Sequence, residues 1–196
     1  ELMSGGSLTE VLLKFAGQFV GHKRGGLGYT NVVSLTFFSG ISGSALADAA
    51  GPGSMLIRMM DKAGYDRAYA AALTASTAIV GPIIPPSIIM IIYGAAAGVS
   101  IGKLFVGGIV PGLLFALLLL VTVSVVATRR RYPKGEPFAL ARVWGTLKRA
   151  ALVLMTPVLI IGGIFGGLFT PTEAATVAVL YVLALGVWYR GVSWRA

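Results

Sequence analysis

NVVSLTFFSGISGSALADAAGPGSMLI, residues 31–57, is apolar enough for a membrane but does not read as a plain spanning helix. Its middle, Ser39 to Gly53, carries glycines at 40, 43, 51 and 53, serines at 39, 42 and 44, one carboxylate (Asp48) and one proline (Pro52). Each glycine costs a helix interior about 1 kcal/mol against alanine. Basic residues flank the stretch on both sides: His22, Lys23 and Arg24 before it, Arg58, Lys62 and Arg67 after it. In short loops such residues mark the cytoplasmic side, so both flanks belong to one compartment. A segment with both ends on one side enters, turns and returns. Irregular backbone at its tip is tolerated in a membrane only where protein or water covers it. The expectation is a re-entrant hairpin with a transport or conduction site at the tip.

Composition sets the class around it. With 56% hydrophobic and 12% charged residues and a mean hydropathy of +0.85, the chain reads as an all-α, polytopic membrane protein. The net charge of +9 comes from short Lys/Arg clusters between apolar runs. Positive-inside topology accounts for that pattern better than nucleic-acid binding does. The absence of cysteine excludes disulfide and thiol chemistry, and one histidine with seven carboxylates offers no metal-ligand cluster. The chain opens on Glu1 without an initiator Met or signal peptide, which suggests a portion of a longer protein.

Residues 1–28 read as an interfacial amphipathic helix and a cytoplasmic turn. Ser7 or Thr9 is the candidate N-cap, with Leu8, Val11, Leu12, Phe15 and Phe19 on one face and Lys14 on the other. His22 reads as a solvated loop histidine.

Residues 29–102 hold the hairpin (31–57) and a helix over 68–101 interrupted by Gly81-Pro82-Ile83-Ile84-Pro85-Pro86-Ser87. Each proline removes a backbone donor and clashes with the preceding turn, at about 3 kcal/mol or more. Three in five residues unwind a helix rather than bend it. The freed carbonyls can face a cation, while the half-helix resuming at Ser87 points its positive end inward. Residues 103–196 supply three further spans, 104–128, 150–169 and 174–189, with an interfacial loop at 129–149. Arg129, Arg130, Arg131 and Lys134 stop the first span, Pro137 to Gly145 reads as a short interfacial helix, and Arg190 and Arg195 end the last. In TPTEAA (170–175), Thr170 or Thr172 caps, Pro171 starts the helix and Glu173 sits where the helix dipole favours a carboxylate.

GISGSALADAAGPGS, then MDKAGYDRAYAAALTASTAIVGPIIPPSIIMIIYG, SIGKLFVGGIVPGLL and GGLFTPTEAATVAVLY, taken together, resemble the large membrane subunit of TRAP (tripartite ATP-independent periplasmic) transporters. The resemblance covers nearly the whole chain. It implies the first of two inverted repeats of an elevator-type, sodium-driven importer in the bacterial inner membrane. It also implies a small membrane subunit, a periplasmic substrate-binding protein and a small organic acid, C4-dicarboxylate or related, as partners. No cofactor is expected beyond sodium as coupling ion, and no enzymatic activity.

A sodium ion needs several oxygen ligands and no formal counter-charge if carbonyl dipoles surround it. Ser42, Gly43 and Ser44 at the tip, the carbonyls around Gly81 and Pro82, and the Ser87 hydroxyl are the candidates. Ser39, Asp48, Pro85 and Pro86 are the candidates for the substrate side. Asp48, deep in an apolar run, is either functional or the N-cap of the hairpin's second arm. Two rival readings stand beside this one. An ion or solute channel also uses re-entrant loops. An intramembrane serine protease would use the GxSG string Gly40-Ile41-Ser42-Gly43, but needs a histidine base at the serine. The hairpin is directly testable: single cysteines at positions 23 and 62 should react with a membrane-impermeant thiol reagent from the same side, and opposite accessibility would refute re-entry.

Overall fold

The computed structural model describes residues 7–135 and 139–188, so Arg190, Arg195 and Pro137 lie outside the described residues. Within them the regular structure is helical, apart from a lone bridge between Arg24 and Lys134. Helix α1 is Ser7–Val20, α2 is Gly26–Ser42, α3 is Ala45–Asp48 and α4 is Ser54–Lys62. A π-helical segment, Ala49–Gly53, joins α3 to α4, so the hairpin's second arm is helical throughout. After a four-residue turn come α5 (Arg67–Ala78), the break, α6 (Ile88–Ala97) and α7 (Ile101–Arg129), then α8 (Leu140–Phe165) and α9 (Pro171–Trp188).

The hairpin is therefore more regular than its composition predicts. Only Gly43 and Ser44 leave the helix, not the whole of Ser39 to Gly53. Pro52, which has no N–H to give, falls inside the widened π turn, where the missing α-helical bond leaves no gap. The arms also run past residues 31 and 57 at both ends. At the break, helix ends at Ala78 and resumes at Ile88 as the prolines demand. It is not fully unwound, since tight turns join Val80 to Thr77, Gly81 to Ala78 and Ile84 to Val80.

Helix α2 is the hub. It packs against α1, α5, α7 and α8 as well as its own hairpin partner, and is buried on most sides. Tyr29 and Val32 join Met60, Leu73 and Val123 in one core cluster, and Phe38 joins Leu12, Phe15, Val153 and Leu185 in another. Such a helix shows no amphipathic stripe. Helix α1 lies along α2 and α8 with Leu12 and Ala16 fully buried, while Phe19 is half exposed and stacks on Phe15.

The basic segments gather at one end of the bundle. The Gly25 N–H donates to the Pro133 carbonyl at 3.0 Å. Tyr132, just past α7, stacks on Tyr65 with ring centroids 4.2 Å apart and on Tyr69 at 5.6 Å. Arg130 lies 3.8 Å from Asp66 and over the Tyr69 ring. The start of α2, the α4–α5 turn and the end of α7 are thereby clasped together. Thr146 donates to Gln18, which brings the first part of α8 to this end too. At the opposite end Phe165 packs over Gly102, and α9 returns antiparallel to α8, its Tyr181 hydroxyl donating to the Leu152 carbonyl. A reciprocal cap starts α9: the Thr170 hydroxyl accepts from the Glu173 N–H, and the Glu173 carboxylate accepts from the Thr170 N–H and hydroxyl. Those two donors hold the Glu173 carboxyl below the usual carboxylate range.

Among the described residues α7 alone, with 29 residues, is long and apolar enough by itself to cross a membrane, and just 17% of its apolar window is buried. Helix α8 bends by 58° between Leu140–Lys148 and Ala150–Phe165 and passes the same test only when both halves are taken together. The break lies against α7 well inside its length. A Cβ on Gly108 would meet the Ile83 carbonyl, and one on Gly112 the Ile84 side chain. This i, i+4 glycine pair lets the irregular backbone press onto the helix. Gly112→Leu should therefore destabilise the full-length permease by about 1–3 kcal/mol through overpacking. A thermal melt of the purified protein reads this, and an unchanged melting temperature would refute the contact.

Candidate ion and substrate site

Two interrupted helices meet at the hairpin tip. Gly43 closes α2 at φ 59°, its N–H donating to the Ser39 carbonyl. Its own carbonyl accepts the Ile88 N–H at 3.3 Å, the first free donor of α6. A Cβ at Gly43 would stand 2.5 Å from the Pro86 carbonyl oxygen and 3.2 Å from the Ser87 Cα. Both the left-handed backbone and this approach require glycine. Of the sequence-predicted tip residues, Gly43 is thus brought against the break, touching it at Pro86–Ile88, while Ser42 and Ser44 bond within the hairpin.

Asp48 fills the space between tip and break. It is 1% exposed. The Ser42 hydroxyl donates to its Oδ1 at 2.6 Å, and the Ser44 N–H donates to the Ser42 oxygen at 3.2 Å. Its Oδ2 is buried with no hydrogen-bond partner. That oxygen lies over Gly81, where a Cβ would approach it to 2.9 Å and the Ala45 nitrogen to 3.3 Å. Asp48 is not the N-cap of the second arm. Ser44 is, its hydroxyl accepting from the Ala47 N–H at 3.4 Å, because the arm begins at Ala45 and Asp48 already lies at the end of its first turn.

The break's candidates divide. Gly81 faces Asp48, as described. The Ser87 hydroxyl donates to the Pro82 carbonyl at 2.7 Å and accepts from the Met90 N–H, capping α6, and each of the two oxygens keeps one lone pair. Ser39 is fully buried and donates to the Leu35 carbonyl, and Pro85 is buried in the break. Pro86 presents its carbonyl to Gly43. Beside the tip a cleft of about 900 Å³ opens toward α8 and α9, lined among others by Ser42, Ser44, Asp48, Ile88 and Thr156. The Thr156 hydroxyl is buried there without a partner. The protease reading fails on geometry: His22 precedes α2 and Ser42 ends it, and the intervening 17 residues put about 25 Å between them.

One polar group was missed. Asn31, fully buried, donates to the Thr74 hydroxyl at 2.7 Å and ties α2 to α5. A lone amide in an apolar run is costly unless paired, and that was the available signal. The partner, 43 positions away in sequence, carried none.

The whole chain, residues 1–196, matches the family described as "Tripartite ATP-independent periplasmic transporter, DctM component". It is 45% identical to the sialic acid TRAP transporter permease protein SiaT of Haemophilus influenzae, over 94% of this chain and 30% of that protein. It is 42% identical to the 2,3-diketo-L-gulonate TRAP transporter large permease protein YiaN of Escherichia coli, over 93% of this chain and 43% of that protein. To the C4-dicarboxylate TRAP transporter large permease protein DctM of Pseudomonas aeruginosa it is 41% identical, over 91% of this chain and 42% of that protein. The chain thus spans less than half the length of these relatives, which are transporter permeases and not enzymes. Matched from end to end, the chain belongs to the DctM-component family, the large permease proteins of tripartite ATP-independent periplasmic transporters.

Proposed function

We propose that this chain supplies the first hairpin-and-break half of the ion and substrate site of a sodium-coupled importer of small organic acids. The observation that carries the reading is the junction itself, where the Gly43 carbonyl meets the Ile88 N–H beside a buried carboxylate and its partly buried hydroxyl donor. Oxygen-rich tips closing on a broken helix are where transporters hold coupling ions and substrates. The break abuts α7 through Ile83 and Ile84 at Gly108 and Gly112, inside the apolar run. The basic ends of the hairpin arms share one face of the bundle with the Arg129–Arg131 cluster, as re-entry from the cytoplasmic side requires.

Sodium held by Ser42, Ser44 and the backbone near Gly81 would strengthen a seam that otherwise rests on one interhelical backbone bond. Ion and substrate then favour the same closed arrangement, and each raises the affinity for the other by the same factor. The relatives named for sialic acid, 2,3-diketo-L-gulonate and C4-dicarboxylates share a carboxylate in their substrates. A carboxylate-bearing small acid is therefore the substrate class we assign. Family membership argues for a periplasmic binding protein and a small membrane subunit as partners, and for an elevator-type movement between inverted repeats in the bacterial inner membrane.

The test is uptake of a panel of radiolabelled carboxylic acids by the full-length permease with its partner subunits in proteoliposomes, titrated with sodium against choline. One acid should show saturable, sodium-dependent uptake. Gly43→Val should cut the rate and raise the sodium requirement by at least about tenfold, equivalent to about 1.4 kcal/mol. Equal uptake in choline would refute sodium coupling, and an unchanged sodium requirement in Gly43→Val would place the ion elsewhere.

A further inference from the structure

Most serine and threonine hydroxyls of α2 find a partner in their own helix or hairpin. Thr30, Thr36 and Ser39 each donate to the carbonyl four residues back, and Ser42 donates to Asp48. Ser34 does neither. It is fully buried, and its hydroxyl has no hydrogen-bond partner among the described residues. One turn earlier Asn31 shares the deficit. Its amide nitrogen carries two protons. One goes to the Thr74 hydroxyl on α5 at 2.7 Å and the other to the Met60 sulfur on α4 at 3.8 Å. The Asn31 Oδ1 is left buried and unpartnered. Turning the amide round would not help, because the Thr74 proton already goes to the Ala70 carbonyl and the sulfur has none to give. Leaving either oxygen dry is costly. Side chains three apart on a helix are neighbours, with Cβ atoms about 5–6 Å apart, so one small molecule can bridge their polar ends.

We propose that Asn31 Oδ1 and Ser34 Oγ hold one buried water where α2, α4 and α5 meet. The water donates one proton to Oδ1 and makes a second hydrogen bond with the serine hydroxyl, the minimum that holds a buried water in place. Other small ligands suit the site less well. A monovalent cation needs several oxygens, and the soft thioether of Met60 stands against the amide. An anion would meet the Oδ1 lone pairs, and an apolar guest would leave both oxygens unsatisfied. The site lies about 18 Å along α2 from Gly43, and the inference is independent of the sodium reading. The seam that fixes α2 on α5 behind the tip is thus a wet one, with its bond to Thr74 direct and its second contact carried by water.

X-ray radiolysis of the purified full-length permease tests this, because it makes hydroxyl radicals from bound water in place. Met60 is fully buried, lies against Asn31 and carries an easily oxidised sulfur. In wild type it should be oxidised under X-rays but spared by radicals made only in bulk solvent, from flash-photolysed peroxide. Asn31→Leu and Ser34→Ala should each lose most of that oxidation. Thr74→Val, which breaks the direct bond to α5 but keeps both water ligands, should retain it. Melting gives a second reading that stands even where Asn31→Leu fails to fold. A dry, unpartnered hydroxyl is better removed, so Ser34→Ala would then melt no lower than wild type; a lost water ligand should lower the melting temperature by about 1–3 °C. Met60 untouched by X-rays in wild type, or oxidised as fully in Ser34→Ala, overturns the proposal. So does a Ser34→Ala protein that melts at or above wild type.

Discussion

The backbone approach at Gly43 is the constraint on which the arrangement depends. A helix that ends inside an apolar bundle leaves carbonyls unpaired, and one that starts there leaves N–H groups unpaired. Here the two deficits meet: the end of α2 and the start of α6 satisfy each other through Gly43 and Ile88. Ser87 covers α6 and Ser44 covers α3 with side-chain oxygens. The contact requires a residue with no side chain and a positive φ at the tip, and a proline-broken helix opposite. Neither interruption is tolerable alone; together they make a polar seam enclosed by apolar helices.

Around that seam the bundle is built to bring backbones close. Gly28 against Val123, Gly53 against Thr74, and Gly108 and Gly112 against the break all mark places where a Cβ would collide. The Asn31–Thr74 bond fixes α2 on α5 at mid-length, and the Tyr65–Tyr132–Tyr69 stack fixes the far end. The tip is thus the distal end of a lever held at two points behind it. Among the described residues a single backbone hydrogen bond joins it to the break, with Asp48 packed over Gly81 beside it.

Much of this was legible in the residues. The glycine- and serine-rich hairpin, the triple-proline break, the cap at Thr170 and the common side of the basic clusters follow from local rules of propensity, capping and charge. What escaped was set by packing at long range. Composition placed irregularity across Ser39–Gly53, but hairpin contacts override glycine's weak preference, and only two residues leave the helix. The cap alternative for Asp48 stood because the arm's first residue cannot be read to within a turn. Nothing in the sequence says that the Ser87 hydroxyl and the Pro82 carbonyl bond to each other. The Gly108–Gly112 pair was visible as a spacing, but its partner was not.

The π segment at Ala49–Gly53 has an angular meaning. An α-helix turns about 100° per residue, so a regular arm would set Leu56 about 80° and Met60 about 120° around from Asp48. A widened turn absorbs one residue of that advance and brings all three to within about 20° of one meridian. All three are in fact fully or almost fully buried. The extra residue works as a phase correction, allowing one helix to present a carboxylate to the seam and aliphatic side chains to the core from a single face. An arm one residue shorter, with a plain α turn there, would keep the same alignment; a shortened arm that kept the π turn would swing Asp48 out of the seam.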